Sequence, residues 1–226
     1  MSSKPGPGLA MEDLVAVRQY ITEDYALLDG ALRALDMEKL NELDAHIRVA
    51  TFGLAALPSH RGPVFRGAEL PEAIVAKYRP GLVIREHGFV CVTANPALRF
   101  PGNATYVIES VNGREVELVA DSPVEREVVF FTGTRFAVLG LERDASGEAA
   151  IYLRELPDER LLRGDAYTGA ADADVLDALR RSRHAREAVA LRLRFAAARP
   201  DKYAAPIGID DEGRYFPVPR TGSDTT

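Results

Sequence analysis

The amino-acid sequence predicts an α+β protein: helices first, a mostly antiparallel β centre, then a C-terminal helical extension. Three observations carry this. Between Met11 and Pro58 apolar residues recur every three or four positions. After Pro63 they fall instead into short β-branched and aromatic runs separated by Gly, Pro and Asn, and beyond Leu156-Pro157 an Ala-, Leu- and Arg-rich stretch reaches Arg199-Pro200.

Residues 1–10, polar and broken by Pro and Gly, read as a flexible leader. Leu14, Val17, Ile21, Tyr25, Leu28, Leu32 and Leu35 then form one apolar stripe at helical spacing, which predicts two or three helices before Pro58. Val64-Phe65, Leu82 to Ile84, Phe89 to Val92, Thr105 to Ile108, Val116 to Leu118, Glu127 to Phe130, Arg135 to Val138 and Ala150 to Leu153 are the predicted strands. Asn112-Gly113 favours a tight hairpin turn, and Thr132-Gly133-Thr134 predicts a second turn. In the extension, residues 157–200, Asp172 or Asp174 is placed to cap a helix. From Asp172 to Arg199 there are seven Arg against three Asp and one Glu, most simply a solvated helix face. The tail, residues 201–226, holds Ile207-Gly208-Ile209, Asp211-Glu212-Gly213 and Tyr215-Phe216, the pattern of a small hairpin.

Composition narrows the function classes. The chain has 226 residues, 46% of them hydrophobic and 27% charged, and a chain this long buries roughly 70% of its unfolded surface without a disulfide or metal staple. Its single cysteine, Cys91, has no internal partner. With 28 basic and 34 acidic side chains the net charge of −6 argues against nucleic acid or an anionic membrane as a partner. No window approaches the roughly 18 apolar residues of a membrane span, and from the polar, Pro- and Gly-broken residues 1–10 no conventional secretory signal is expected. The expected location is the cytoplasm, or outside the cell after export by a dedicated secretion machine. A glycine-rich dinucleotide fingerprint, a phosphate loop, His-Glu-x-x-His and a paired-cysteine zinc site are all missing. His46, His60, His87 and His184 lie scattered and read as surface or packing residues, so no metal is expected.

The informative segment is Ser122 to Phe130. On a strand, Glu125 and Glu127 would share one face about 7 Å apart. Like charges that close raise at least one pKa unless a cation or substrate lies between them; the bland alternative is a solvated Glu-Arg-Glu edge. Upstream, Arg66 sits in the apolar run Gly62 to Gly67, where a guanidinium is costly to bury without an anionic partner. Between them Gly88 to Pro96 is a strand ending in small polar groups. Arginine, a small hydroxyl or thiol strand and Glu-x-Glu follow one another, with Cys91 lying 25 residues after Arg66 and 34 before Glu125.

In this order the residues resemble the arginine-specific mono-ADP-ribosyltransferases, whose motif is Arg, Ser-Thr-Ser, Glu-x-Glu. Tyr25 to Arg33 looks like the family's helical Tyr...Leu-Arg segment, Val64 to Gly67 like its first strand, Phe89 to Pro96 like its Ser-Thr-Ser strand, and Glu125 to Val138 like its Glu-x-Glu block. The match runs from about Leu14 to Leu153, within a catalytic domain expected over residues 11–156. One departure matters: the middle motif reads Cys91-Val92-Thr93. A thiol is nearly hydroxyl-sized but a poor donor, so activity would be lowered, or redox-sensitive were Cys91 exposed. A small buried hydrophobe is the equal alternative.

The resemblance implies a split β-sandwich that consumes NAD as a substrate and transfers ADP-ribose to arginine on a protein acceptor. Cleaving nicotinamide from ribose develops positive charge on the sugar. Glu127 would stabilise that cation, Glu125 would hold and deprotonate the acceptor guanidinium, and Arg66, with Gly67 beside it, would meet the NAD phosphates. Thr93 and Cys91 would line the ribose pocket, Phe131 would wall the nicotinamide, and loops near His87-Gly88 and after Gly133 would meet the acceptor. An NAD glycohydrolase of the same fold and a non-enzymatic interaction module are the alternatives.

Overall fold

The chain is described here by a computed structural model covering residues 10–120, 126–156, 171–187 and 200–218. The N-terminal stripe becomes α1 (Met11–Gln19), one wider π-type turn (Tyr20–Asp24), α2 (Tyr25–Ala34) and α3 (Met37–Ala56). Val17, Tyr20, Ile21, Tyr25 and Leu28 are buried from it. The stripe ends before Leu35, which is 52% exposed because it terminates α2 in the left-handed region with φ 51°. Asp36 then caps α3 by accepting from the Lys39 amide at 3.2 Å. At Gly53 a Cβ would lie 2.5 Å from the Asp13 carbonyl oxygen, so glycine lets α3 lie against α1.

Eight strands follow: β1 (Gly62–Ala68), β2 (Val83–Arg85), β3 (Val90–Thr93), β4 (Ala104–Ser110), β5 (Arg114–Glu115), β6 (Glu127–Phe130), β7 (Arg135–Arg143) and β8 (Ala149–Leu156). Their order is β2-β7-β8-β4-β1-β3-β6-β5, and every pair is antiparallel except β4 with β8. β1 meets β3 at one register position, Phe65 with Thr93. The sheet is therefore two ladders, β2-β7-β8-β4-β1 and β3-β6-β5, hinged at that contact. One core, with Val64, Tyr106, Val92, Phe130 and Ile151, lies between them. On the outer faces the N-terminal helices cover β3 and β6 through Leu28, Leu54, Cys91 and Val129; after the single turn α4 (Glu72–Val75), α5 (Asp172–Glu187) covers the other ladder through Val175 and Leu179.

The sheet departs from two expectations of the sequence. Val116 to Leu118 is not a strand: the Val119 and Ala120 amides both donate to the Val116 carbonyl at 3.0 Å, which closes a turn. Asn112-Gly113 does not make a hairpin either, because β4 and β5 lie in different ladders and never pair. The link is shaped by the buried Glu155 carboxylate, which accepts from the Val111 and Asn112 amides at 2.6 and 2.8 Å. Thr132-Gly133 is a turn, with Gly133 at φ 75°, and it too passes between ladders.

Two arginines of α5 are tied to acids of the same chain, Arg180 to Glu142 and Arg183 to Asp144. The chain from Pro200 onward returns to the sheet. Ile207 and Ile209 join the inter-ladder core, and Ile209 bridges Tyr215 antiparallel around the Asp210 to Gly213 turn.

Candidate active site

Where β1 parts from β3, three strands present the sequence-selected groups. Thr93 on β3 is in register with both Phe65 on β1 and Glu127 on β6. Because residues two apart on a strand share a face, Cys91 and Thr93 point the same way, as do their partners Val129 and Glu127. Thr93 is fixed by the turn after it: its hydroxyl accepts from the Asn95 amide at 2.9 Å and donates to the Asn95 carbonyl at 3.2 Å. Arg126, just before Glu127, adopts φ 47°, an uncommon left-handed conformation for a long side chain. Glu125 lies outside the described residues.

Arg66 is 5% exposed. The sequence reading asked for an anionic partner, but among the described residues no carboxylate pairs with it. Instead its Nη2 donates to the Ala205 carbonyl at 2.8 Å, and its guanidinium carbon lies 5.9 Å from the centre of the Tyr203 ring. Its Nε is buried without a hydrogen-bond partner. A buried, unspent donor beside one that already takes a carbonyl oxygen is the disposition a phosphate would satisfy.

Glu127 is 5% exposed and its Oε1 is paired with the Lys202 ammonium. Lys202 also donates to the Ile21 carbonyl at 3.0 Å and lies 5.8 Å from the Tyr25 ring centre. Burial works against the charged lysine, yet its acidic neighbours, the Glu127 carboxylate among them, outweigh burial and move its pKa above the ordinary value. The Lys202–Glu127 pair is thus ionic and nearly dry. Because Lys202 and Tyr203 are consecutive, one residue reaches Glu127 and the next reaches Arg66, so the two groups border one space.

Behind the pair lies a chain of polar groups absent from the sequence reading. Tyr20 donates its hydroxyl to Asp29 at 3.1 Å and lies 3.7 Å from the Cys91 sulfur. Asp29 also accepts from the Phe89 amide at 3.0 Å. Burial pushes the Asp29 carboxyl up to about 7, against the lowering effect of its two donors. Burial likewise pushes the Cys91 thiol up to about 12. Cys91 is 3% exposed, so the redox-sensitive alternative is corrected: the thiol is buried and neutral.

The remaining selected residues divide. Gly67 packs against Phe100, whose carbonyl oxygen would lie 1.6 Å from a Cβ there. Phe131 packs on the helical cluster with its ring 5.4 Å from the Arg114 guanidinium; the aromatic ring beside Arg66 is Tyr203. His87 stacks on Phe216 with ring centres 4.4 Å apart, and His60 pairs with Glu115 at 3.0 Å. Among the described residues no group of His, Cys, Asp and Glu could hold a metal ion, and no helix is long and apolar enough to cross a membrane.

Tyr20 and Asp29 stand next in sequence to Ile21 and Leu28 of the helical stripe, where a polar atom brought toward the core must find a partner. Lys202 and Tyr203 carried no such signal.

No family model matches the chain. It is 35% identical over 137 residues, 58% of its length, to a Mycobacterium avium protein, Mav, named as an NAD(+)–arginine ADP-ribosyltransferase. It is 32% identical over 152 residues, 66% of its length, to the NAD(+)–protein-arginine ADP-ribosyltransferase Tre1 of Pseudomonas putida. The chain spans 16% and 30% of these two relatives. Among solved structures, the ADP-ribosyltransferase Vis of Vibrio splendidus, in complex with agmatine, superposes with a TM-score of 0.60 at 17% identity, covering 75% of this chain and 85% of that one. The fold is the ADP-ribosyltransferase fold, and over the shared region the chain is homologous to arginine-specific transferases.

Proposed function

We propose that this chain cleaves NAD at the nicotinamide–ribose bond and transfers ADP-ribose to arginine of a protein. The observation that carries the reading is the convergence of Arg66, Thr93 and Glu127 where β1 leaves β3, in a chain homologous to transferases named for that reaction.

As nicotinamide leaves, the ribose takes on oxocarbenium character. Glu127, presented by β6 with its partner Thr93 fixed by a turn, is the carboxylate that would face this charge. A preorganised group aimed at developing charge in a dry site acts most strongly on the transition state. Arg66 would hold the pyrophosphate through Nε and Nη2 together. Cys91 contributes a neutral surface, and the Tyr20–Asp29 pair behind it fixes the start of β3 through the Phe89 amide. Glu125 keeps its expected part, holding the acceptor guanidinium and accepting its proton, since an arginine does not attack while protonated.

The test is nicotinamide release from NAD by the full chain, with and without agmatine, beside Glu127→Ala. Release stimulated by agmatine and lost in the variant supports the transferase. Release indifferent to agmatine makes the protein a glycohydrolase, and no release in either condition makes it a binding module. Glu125→Gln separates the two enzymes further: arginine transfer should vanish while NAD hydrolysis persists.

A further inference from the structure

The cleft bordered by Arg66 and Glu127 is covered by the chain's own C-terminal segment. Lys202 pairs with Glu127, Tyr203 lies against Arg66 and stacks on Phe100 with centres 6.2 Å apart, and Ala205 supplies the carbonyl that Arg66 holds. A few residues later the contacts change in kind. Ile207 and Ile209 are 1% and 0% exposed and form part of the sheet core. Tyr78 donates to the Ile207 carbonyl at 2.8 Å, the Gly208 amide donates to Glu86 at 2.7 Å, and Arg33 donates to the Ile209 carbonyl at 2.5 Å. Phe216 is clamped between His87 and Arg33.

The segment therefore has two halves. Residues 207–216 are anchored by core packing and hydrogen bonds to groups outside the cleft. Residues 202–206 are half-buried or exposed as whole residues, and the site groups Glu127 and Arg66 are prominent among the side chains that hold them.

We propose that residues 202–206 are an internal inhibitor of the nucleotide site, a plug that NAD must displace while residues 207–216 stay anchored. This rests on the reading of Arg66 and Glu127 as NAD-site residues. The chemistry of the plug is complementary to both. The Lys202 ammonium offers Glu127 the positive charge that the ribosyl group develops only as nicotinamide departs, and the Ala205 carbonyl offers Arg66 an acceptor oxygen in place of a phosphate. The Tyr203 ring fills the space beside Arg66 with a flat aromatic surface. A bound NAD and this plug contend for the same two side chains, so their binding is mutually exclusive and NAD affinity is reduced by the fraction of chains that are closed.

The test compares binding of carba-NAD, which is not cleaved, to the full-length wild type, Lys202→Ala and Tyr203→Ala by titration calorimetry. Tyr203→Ala leaves the Lys202–Glu127 pair in place, so it keeps the test open should Lys202→Ala fail to fold. Each variant is expected to bind at least tenfold more tightly than the wild type. Amide exchange gives an independent readout: saturating carba-NAD should speed exchange at residues 202–205 and leave 207–209 protected. Equal or weaker binding by the variants, or unchanged or slower exchange at 202–205 in the complex, overturns the plug while leaving the NAD site standing. Binding by none of the three proteins overturns both.

Discussion

Lys202 closes an ion pair on Glu127 across 75 residues of sequence, with both side chains less than a tenth exposed. A pair this dry is costly to break from one side only, because the surviving charge keeps its desolvation and loses its partner. Glu127→Gln alone should destabilise the fold by about 3 kcal/mol. Glu127→Gln combined with Lys202→Met should recover most of that loss. Urea unfolding of the two single variants and the double variant measures the coupling, and additive single effects would show that the ion pair contributes little.

Cys91 should behave as an inert core residue. Its thiol is buried and pushed up to about 12, so almost no thiolate exists at neutral pH. A disulfide-forming thiol reagent should react with the native protein only as fast as it unfolds, and promptly in denaturant. Rapid labelling of the native chain would contradict the buried placement.

Asp29 gives stability a definite pH dependence. Its carboxyl is raised from 3.8 to about 7 in the fold by burial. Between those values the folded protein holds a proton that the unfolded chain has released, so this contribution is fully present below about pH 4 and is lost as pH rises through 7. Asp29→Asn removes the titration and keeps an acceptor for the Phe89 amide. The melting temperature of the wild type should therefore fall relative to Asp29→Asn between about pH 4 and pH 7, and parallel curves would refute the assignment.

Glu155 holds the link between the two ladders. Glu155→Ala leaves the Val111 and Asn112 amides buried without their acceptor, at an expected cost of about 2 to 3 kcal/mol in chemical denaturation. An effect below about 0.5 kcal/mol, the range of an ordinary surface change, would show that water replaces the carboxylate without loss.

Much of this was legible because it is local or periodic. Val17, Ile21, Tyr25 and Leu28 mark a helix face by spacing alone, and the runs around Val64, Val90, Val107 and Ile151 mark strands by residue type. Arg66 and Glu127 stood out because a charged group in an apolar run needs a reason. Asn112-Gly113 misled because the buried Glu155, more than forty residues away, decides what its backbone does. The Lys202 and Tyr203 contacts were invisible for a related reason: they sit in a segment without apolar periodicity, and their partners are brought to them only by the sheet topology. Phe131, four residues after Glu127, packs on the helical cluster, and the ring beside Arg66, Tyr203, comes from far along the chain.

The most direct measurement is mass-spectrometric detection of ADP-ribosyl-agmatine formed from NAD and agmatine by the full chain, by Tyr203→Ala, and by Tyr203→Ala carrying Glu127→Ala. The account predicts product from the wild type, at least tenfold more from Tyr203→Ala, and none once Glu127 is removed. Free ADP-ribose in place of the agmatine adduct, or product that survives loss of Glu127, would contradict it.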